Sequence, residues 1–189
     1  MKLSIIIPCY NEQSTIREIV HKINLQKNIN KEIIIIDDNS TDRTREILEK
    51  EVRDKVNKII FNDKNYGKGY SIRKGIENAS GDYTLIQDAD LEYDPNDYKK
   101  LLSPIINGNA DVVYGSRFIG GDEKRVLYFW HTMGNKFLTL ISNIFSNLNL
   151  TDMEVGYKLF KTNLLKSIDL KEDRFGFEPE ITAKISKKN

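Results

Sequence analysis

Cysteine occurs once in the chain, as Cys9, which excludes an internal disulfide and any cysteine-built zinc cluster. A lone thiol suits a reducing compartment. Charge of one sign is lacking too: 29 Lys and Arg stand against 28 Asp and Glu, a formal net charge of +1. No broad positive field is available to hold a duplex, so nucleic acid is not an expected partner. Long apolar runs are also missing. Nowhere do about 18 uninterrupted apolar residues occur, so no membrane-spanning helix is expected. Lys2 leads at once into strand-like residues that end at polar Asn11-Glu12, which does not read as a secretory leader. The expected location is the cytosol, with peripheral attachment to the cytoplasmic face of a membrane as the other option. With four prolines, no Gly/Ser-rich tract and no internal repeat, nothing marks a linker. The 189 residues, 39% of them apolar, are sized for one compact domain over 1–189.

Within that domain a strand–helix alternation recurs. Leu3-Ser4-Ile5-Ile6-Ile7 reads as a buried strand stopped by Pro8. A helix is predicted next, with Thr15 and Glu18 as a capping box and Ile16, Ile19, Val20 and Ile23 on one face. Ile33 to Ile36 repeats the strand pattern, and Ile47, Leu48 and Val52 mark another helix. Further strands are expected over Val56 to Phe61, Tyr83 to Gln87 and Asp111 to Tyr114, with helices over Tyr70 to Ala79, Pro95 to Ile106 and Glu178 to Ser186. Apolar strands alternating with helices predict an α/β three-layer sandwich around a mainly parallel sheet. Between Val126 and Leu148, Trp130, Met133, Phe137, Leu140, Ile141, Ile144 and Phe145 follow a three-four spacing. That stripe is read first as a core-facing surface, with an interfacial role beside a lipid acceptor as the alternative.

Open parallel sheets bind ligands outside the carboxyl ends of their strands, and here those ends are acidic. Tyr10, Asn11 and Glu12 follow the first strand, Asp37 and Asp38 the second, Lys68 the third, Asp88 and Asp90 the fourth. A single acid at such a place is as a rule a helix cap or a solvated loop residue. Asp88 and Asp90 are two apart at a strand end, so extended backbone puts both carboxylates on one side. A hard cation, Mg²⁺ or Mn²⁺, would relieve their repulsion while bridging to substrate phosphates.

Ile7-Pro8-Cys9-Tyr10-Asn11-Glu12, Ile36-Asp37-Asp38-Asn39-Ser40-Thr41-Asp42, Asn65-Tyr66-Gly67-Lys68-Gly69, Ala79-Ser80-Gly81-Asp82, Asp88-Ala89-Asp90 and Gly115-Ser116-Arg117-Phe118 occur in this order. Together they resemble family 2 inverting glycosyltransferases, most of all the polyprenyl-phosphate sugar transferases that include dolichyl-phosphate mannose synthases. The resemblance implies a GT-A-type Rossmann-like fold and a nucleotide-sugar donor, UDP- or GDP-linked. It implies that Tyr10 contacts the base, that Glu12 and one of Asp37 or Asp38 bind base or ribose, and that Asp90 with Asp88 manages metal and sugar. Pro8, Asn11, Lys68 and Ala89 belong to the same donor motifs. Arg117 offers a planar fork suited to a diphosphate or to the acceptor. For Tyr10 the plainer alternative is a packed loop aromatic, and for Lys68 a solvated loop charge.

On the acceptor side, Asp152 or Glu154 in Thr151-Asp152-Met153-Glu154-Val155-Gly156-Tyr157-Lys158 is a candidate catalytic group, although either acid can cap a turn. His131 stands about where mannose synthases have a basic residue for the acceptor phosphate. Arg174-Phe175-Gly176-Phe177-Glu178-Pro179-Glu180 is also familiar from this branch, whose members continue with another strand and a basic segment, so the chain is expected to be shortened at its C-terminus. The resulting expectation is a metal-dependent inverting glycosyltransferase acting on a polyprenyl or dolichyl phosphate. A saccharide hydroxyl acceptor is one alternative, and a nucleotide-binding module without turnover is another. A dinucleotide oxidoreductase is disfavoured, because the first strand leads into Tyr10-Asn11-Glu12 rather than a glycine-rich phosphate turn.

Overall fold

The computed structural model describes residues 1–118 and 128–188. Its first strand, β1 (Leu3–Cys9), is apolar on both faces and sits mid-sheet. β2 (Lys31–Asp37) pairs with it in parallel, Ile5 beside Ile33, and β3 (Lys58–Phe61) continues on that side. β4 (Tyr83–Ile86) pairs with the other edge of β1, also in parallel. Beyond it lie β6 (Lys158–Lys161), antiparallel to both neighbours, and β5 (Val112–Tyr114) at the edge. The described residues thus form one six-stranded sheet, ordered β3-β2-β1-β4-β6-β5.

Strand periodicity sorts the core into two layers. Leu3, Ile5, Ile7, Ile33 and Ile35 pack under α1 (Ile16–Leu25), α2 (Thr44–Ile47) and α4 (Tyr98–Ile106). Ile6, Ile34 and Ile36 face α3 (Lys68–Asn78), α6 (Thr162–Lys166) and α7 (Phe177–Ile185). The three-layer, mainly parallel expectation holds.

Local departures have local causes. Thr15 is no capping-box partner of Glu18: its hydroxyl donates to the Glu12 carboxylate, while Glu18 pairs with Lys22 at 3.0 Å. α2 ends after one turn and widens into a π turn over Leu48–Val52, still burying Ile47, Leu48 and Val52. β3 begins two residues later than expected. The Asn57 side-chain oxygen accepts the Ile33 N–H at 2.9 Å there, in place of a ladder carbonyl.

The largest departure concerns the facing of α5 (Phe129–Ser146); Val126 and Leu127 of the expected helix lie outside the described residues. Its apolar stripe does not pack into the core. Trp130, Phe137, Ile144 and Phe145 are exposed by 80%, 62%, 69% and 87%. The side turned to the protein is polar instead: Thr139 is buried and accepts the Met153 N–H at 3.1 Å, and Asn143 brackets Leu150 with two hydrogen bonds. No helix among the described residues is long and apolar enough to cross a membrane.

At the opposite end of the sheet from the acidic loops, Glu32 is buried. Its carboxylate accepts from Lys2, from Ser4, from the Ser80 N–H at 2.6 Å and from the Ser80 hydroxyl at 2.7 Å. Burial opposes the charge, but the bonds from Lys2, Ser4 and Ser80 outweigh it and pull the pKa from 4.5 to about 2. A depressed carboxylate stabilises the fold above its unfolded pKa and loses that contribution as pH falls through the folded one. Glu32→Gln is therefore expected to destabilise the protein by about 2 kcal/mol at neutral pH. In urea melts the gap between the two proteins should stay full above pH 4.5 and close as pH approaches about 2.

Candidate active site

Strand order reverses between β1 and β4, because β2 and β3 extend the sheet to one side of β1 and β4 begins the other. Ligands of open α/β sheets sit at such a switch point, beyond the carboxyl ends of the strands. A cavity of about 420 Å³ opens there. Pro8, Tyr10 and Glu12 from the β1 end, Asp38 from the β2 end, Lys68 from the start of α3, and Asp88, Ala89 and Asp90 from the β4 end all line it.

Tyr10 is 45% exposed, a ring facing the cavity rather than the core. Asp38 is buried, and its oxygens accept the Tyr66 and Gly67 N–H groups at 3.0 and 2.7 Å and the Asn62 amide at 2.8 Å. It therefore fixes the loop that presents Lys68. Burial raises the Glu12 pKa; the Thr15 hydroxyl opposes this, and nearby Asp90 and Asp88 add to the rise.

Lys68 bridges two acids, Asp88 at 2.9 Å and Glu178 of α7 at 3.0 Å. Burial alone would lower the Lys68 pKa, but the two carboxylates hold it well above its ordinary value. Asp88 is also crowded by backbone, since a Cβ on Gly156 would stand 2.0 Å from its Oδ2. Beneath it, Gln87 Oε1 accepts the Tyr98 and Tyr157 hydroxyls at 2.9 and 2.8 Å, and the Gly156 N–H donates to the Tyr93 hydroxyl at 2.8 Å. Asp90 is exposed and accepts the Glu92 N–H at 3.0 Å around Leu91, which holds a left-handed φ of 64°. A leucine in that conformation is locally strained, as backbone beside a working group often is.

Among the described residues no three acids, histidines or cysteines form a ready metal cage. The donor set instead fits a cation only partly held by protein, because Asp90 and the remaining lone pairs of Asp88 leave most positions to phosphate oxygens and water.

Asp37 points away from the cavity and is fully buried, paired with Arg45 at 2.6 Å. Asn11 uses its side-chain oxygen on the Thr41 N–H at 2.8 Å, stitching the β1 and β2 loops together. Arg117 is not free for a ligand: its Nε and Nη2 each reach a different Asp152 oxygen at 2.8 Å, and its own N–H donates to Oδ2 at 3.1 Å. Both oxygens of buried Asp152 are thereby engaged. Glu154 is half-buried, its side chain makes no hydrogen bond or ion pair with a described residue, and burial, followed by Glu178, raises its pKa. His131 lies exposed in the first turn of α5, 6.0 Å from the Tyr128 ring, and not on the cavity.

A model described as Glycosyl transferase family 2 matches residues 4–169. The chain belongs to that family. A dolichol-phosphate mannosyltransferase of Pyrococcus furiosus is 30% identical over 187 residues, which cover 97% of this chain and 53% of the relative. The UDP-N-acetylglucosamine–dolichyl-phosphate N-acetylglucosaminyltransferase of Methanococcus voltae is 32% identical over 179 residues, covering 86% of this chain and 70% of its own. Among solved structures, Mycobacterium tuberculosis glucosyl-3-phosphoglycerate synthase, in complex with Mn²⁺, UDP and glucosyl-3-phosphoglycerate, superposes with a TM-score of 0.73 at 19% identity, covering 94% of this chain and 62% of that one. Staphylococcus aureus TarS with UDP-GlcNAc does so at 0.62 and 23%, covering 98% and 54%. These likenesses show the GT-A fold. The chain spans about half the length of the Pyrococcus relative.

For this family 2 member the expected donor residues Pro8, Tyr10, Glu12, Asp38, Lys68, Asp88, Ala89 and Asp90 share one cavity, whereas Asn11 and Asp37 serve its frame. Arg117, which follows β5, and Asp152 and Glu154, which precede β6, come together apart from that cavity's lining. Arg174 and Phe175 also line the cavity, a placement that the sequence motifs do not reveal. Their signal was the glycine pair Gly67 and Gly69, which reads as a turn but leaves room for a strand of chain to cross.

Proposed function

We propose that the chain is the donor-binding, catalytic part of an inverting glycosyltransferase that moves a sugar from a nucleotide-sugar to a polyprenyl phosphate. The observation that carries this reading is the cavity at the sheet's switch point, where Tyr10, Glu12, Asp38, Asp88 and Asp90 converge. An exposed ring stacks on a base, Glu12 accepts from base or ribose, and Asp38 holds the loop beneath them. Asp90, assisted by Asp88, would hold Mg²⁺ or Mn²⁺. When bound, that ion supplies charge stabilisation for the departing diphosphate. The acceptor attacks the anomeric carbon in line with the leaving oxygen, and configuration inverts.

A phosphate acceptor is already anionic and needs no general base, which agrees with Asp152 being engaged on both oxygens by Arg117. The outward apolar face of α5 suits an interfacial position beside a lipid. The Pyrococcus and Methanococcus relatives are named for dolichyl-phosphate acceptors. A second reading, transfer to a saccharide hydroxyl, rests on Glu154, whose raised pKa and lack of a described partner suit a base.

Radiolabelled UDP- and GDP-sugars, offered with polyprenyl phosphate in vesicles or with oligosaccharides, separate the two. Label is expected in the lipid fraction. Replacing Ile141, Ile144 and Phe145 with serine should lower transfer to vesicles by about tenfold or more, the share of three buried side chains at an interface, with nucleotide affinity unchanged. Label in oligosaccharide alone, abolished by Glu154→Gln, would establish the second reading.

A further inference from the structure

We propose that Arg174 is the cation that receives the donor's diphosphate, an assignment that rests on the donor reading above. Among the described residues the cavity is lined by four carboxylates, Glu12, Asp38, Asp88 and Asp90, against two cationic side chains, Lys68 and Arg174. A diphosphate entering such a wall needs positive charge that is not already neutralised. Lys68 is held between Asp88 and Glu178. Arg117, the sequence's own candidate, has its fork on Asp152. Arg174 lines the cavity, is exposed, and makes no hydrogen bond or ion pair with any described residue.

Its backbone, by contrast, is pinned. The Tyr70 N–H donates to the Asp173 carbonyl at 2.9 Å, Arg73 donates to the Glu172 carbonyl and the Asp173 carboxylate, and the Lys171 and Glu172 N–H groups donate to Glu180 at 2.8 and 2.9 Å. The crossing is close enough to require glycine beneath it. A Cβ at Gly69 would meet the Glu172 carbonyl at 2.3 Å, and one at Gly67 would meet Arg174 Cγ at 2.8 Å. The stem of Arg174 thus rests on Gly67, next to the lysine that starts α3, with its guanidinium uncommitted. A fixed stem and a free fork suit bidentate binding of phosphate oxygens.

Calorimetry with Mn²⁺ on the wild type, Arg174→Gln and Arg174→Lys tests this, using UDP, GDP and the parent nucleosides as competitors. For whichever diphosphate the wild type binds, Arg174→Gln should weaken binding by about 10- to 100-fold, Arg174→Lys by less, and nucleoside binding should change less than about twofold. Equal diphosphate affinity in wild type and Arg174→Gln overturns the assignment and leaves the donor reading standing. Equal losses for diphosphate and nucleoside overturn it too, because they mark a structural strap. A wild type that binds neither diphosphate removes the donor reading itself.

Discussion

Asp90→Asn is expected to lower kcat/KM for sugar transfer by at least about 10³-fold while leaving the melting temperature unchanged. Asparagine keeps a side-chain oxygen for the Glu92 N–H, so the left-handed turn at Leu91 survives. What goes is the negative charge, on an exposed side chain that no described cation neutralises. The loss should fall on kcat, with the metal-free affinity for nucleoside diphosphate little changed, because charge on the leaving group develops in the transition state. Initial rates with radiolabelled donor over a Mn²⁺ titration make the measurement. A variant within about tenfold of wild type would remove Asp90 from the reaction.

Lys68→Met should act on the fold as well as on binding. Methionine preserves the stem and leaves Asp88 and Glu178 facing each other without the ammonium that now lies 2.9 and 3.0 Å from them. Lys68 and Asp88 are partly buried and Glu178 is buried, so removing the lysine is expected to cost about 2 kcal/mol, which for a domain of this size lowers Tm by about 4–8 °C. Adding Glu178→Gln to Lys68→Met should return part of that loss, since one of the two stranded charges is gone. Urea denaturation of the single and double variants gives the comparison. A double variant no more stable than the single one would mean that Lys68 does not hold these acids together.

The sheet and its acidic edge were legible because buried parallel strands are apolar on both faces, so their carboxyl ends are marked by the first polar residues. Pro8-Cys9-Tyr10 and Asp88-Ala89-Asp90 were found that way. β6 was not, because Lys158-Leu159-Phe160-Lys161 is short and opens on a buried lysine that no hydropathy pattern anticipates. Burial lowers the Lys158 pKa to about 8, against the pull of Glu178. α5 shows the limit of periodicity. An apolar stripe reveals that a helix has two faces, but not which one meets water, and here Thr139 and Asn143 turn inward. Arg117 and Arg174 look equally available in the sequence. Only folding reveals that Asp152, 35 residues on, claims the first of them.

Gly156 has a bearing on how such enzymes are re-engineered. No side chain separates its backbone from Asp88, and its N–H is tied to Tyr93. On the proposed reading, grafting a new loop over Thr151 to Tyr157 therefore also edits the turn at Asp88 that would hold the metal. The two specificities would then not be interchangeable modules, and a chimera that places any residue but glycine at position 156 is expected to lose nucleotide-sugar binding along with acceptor use.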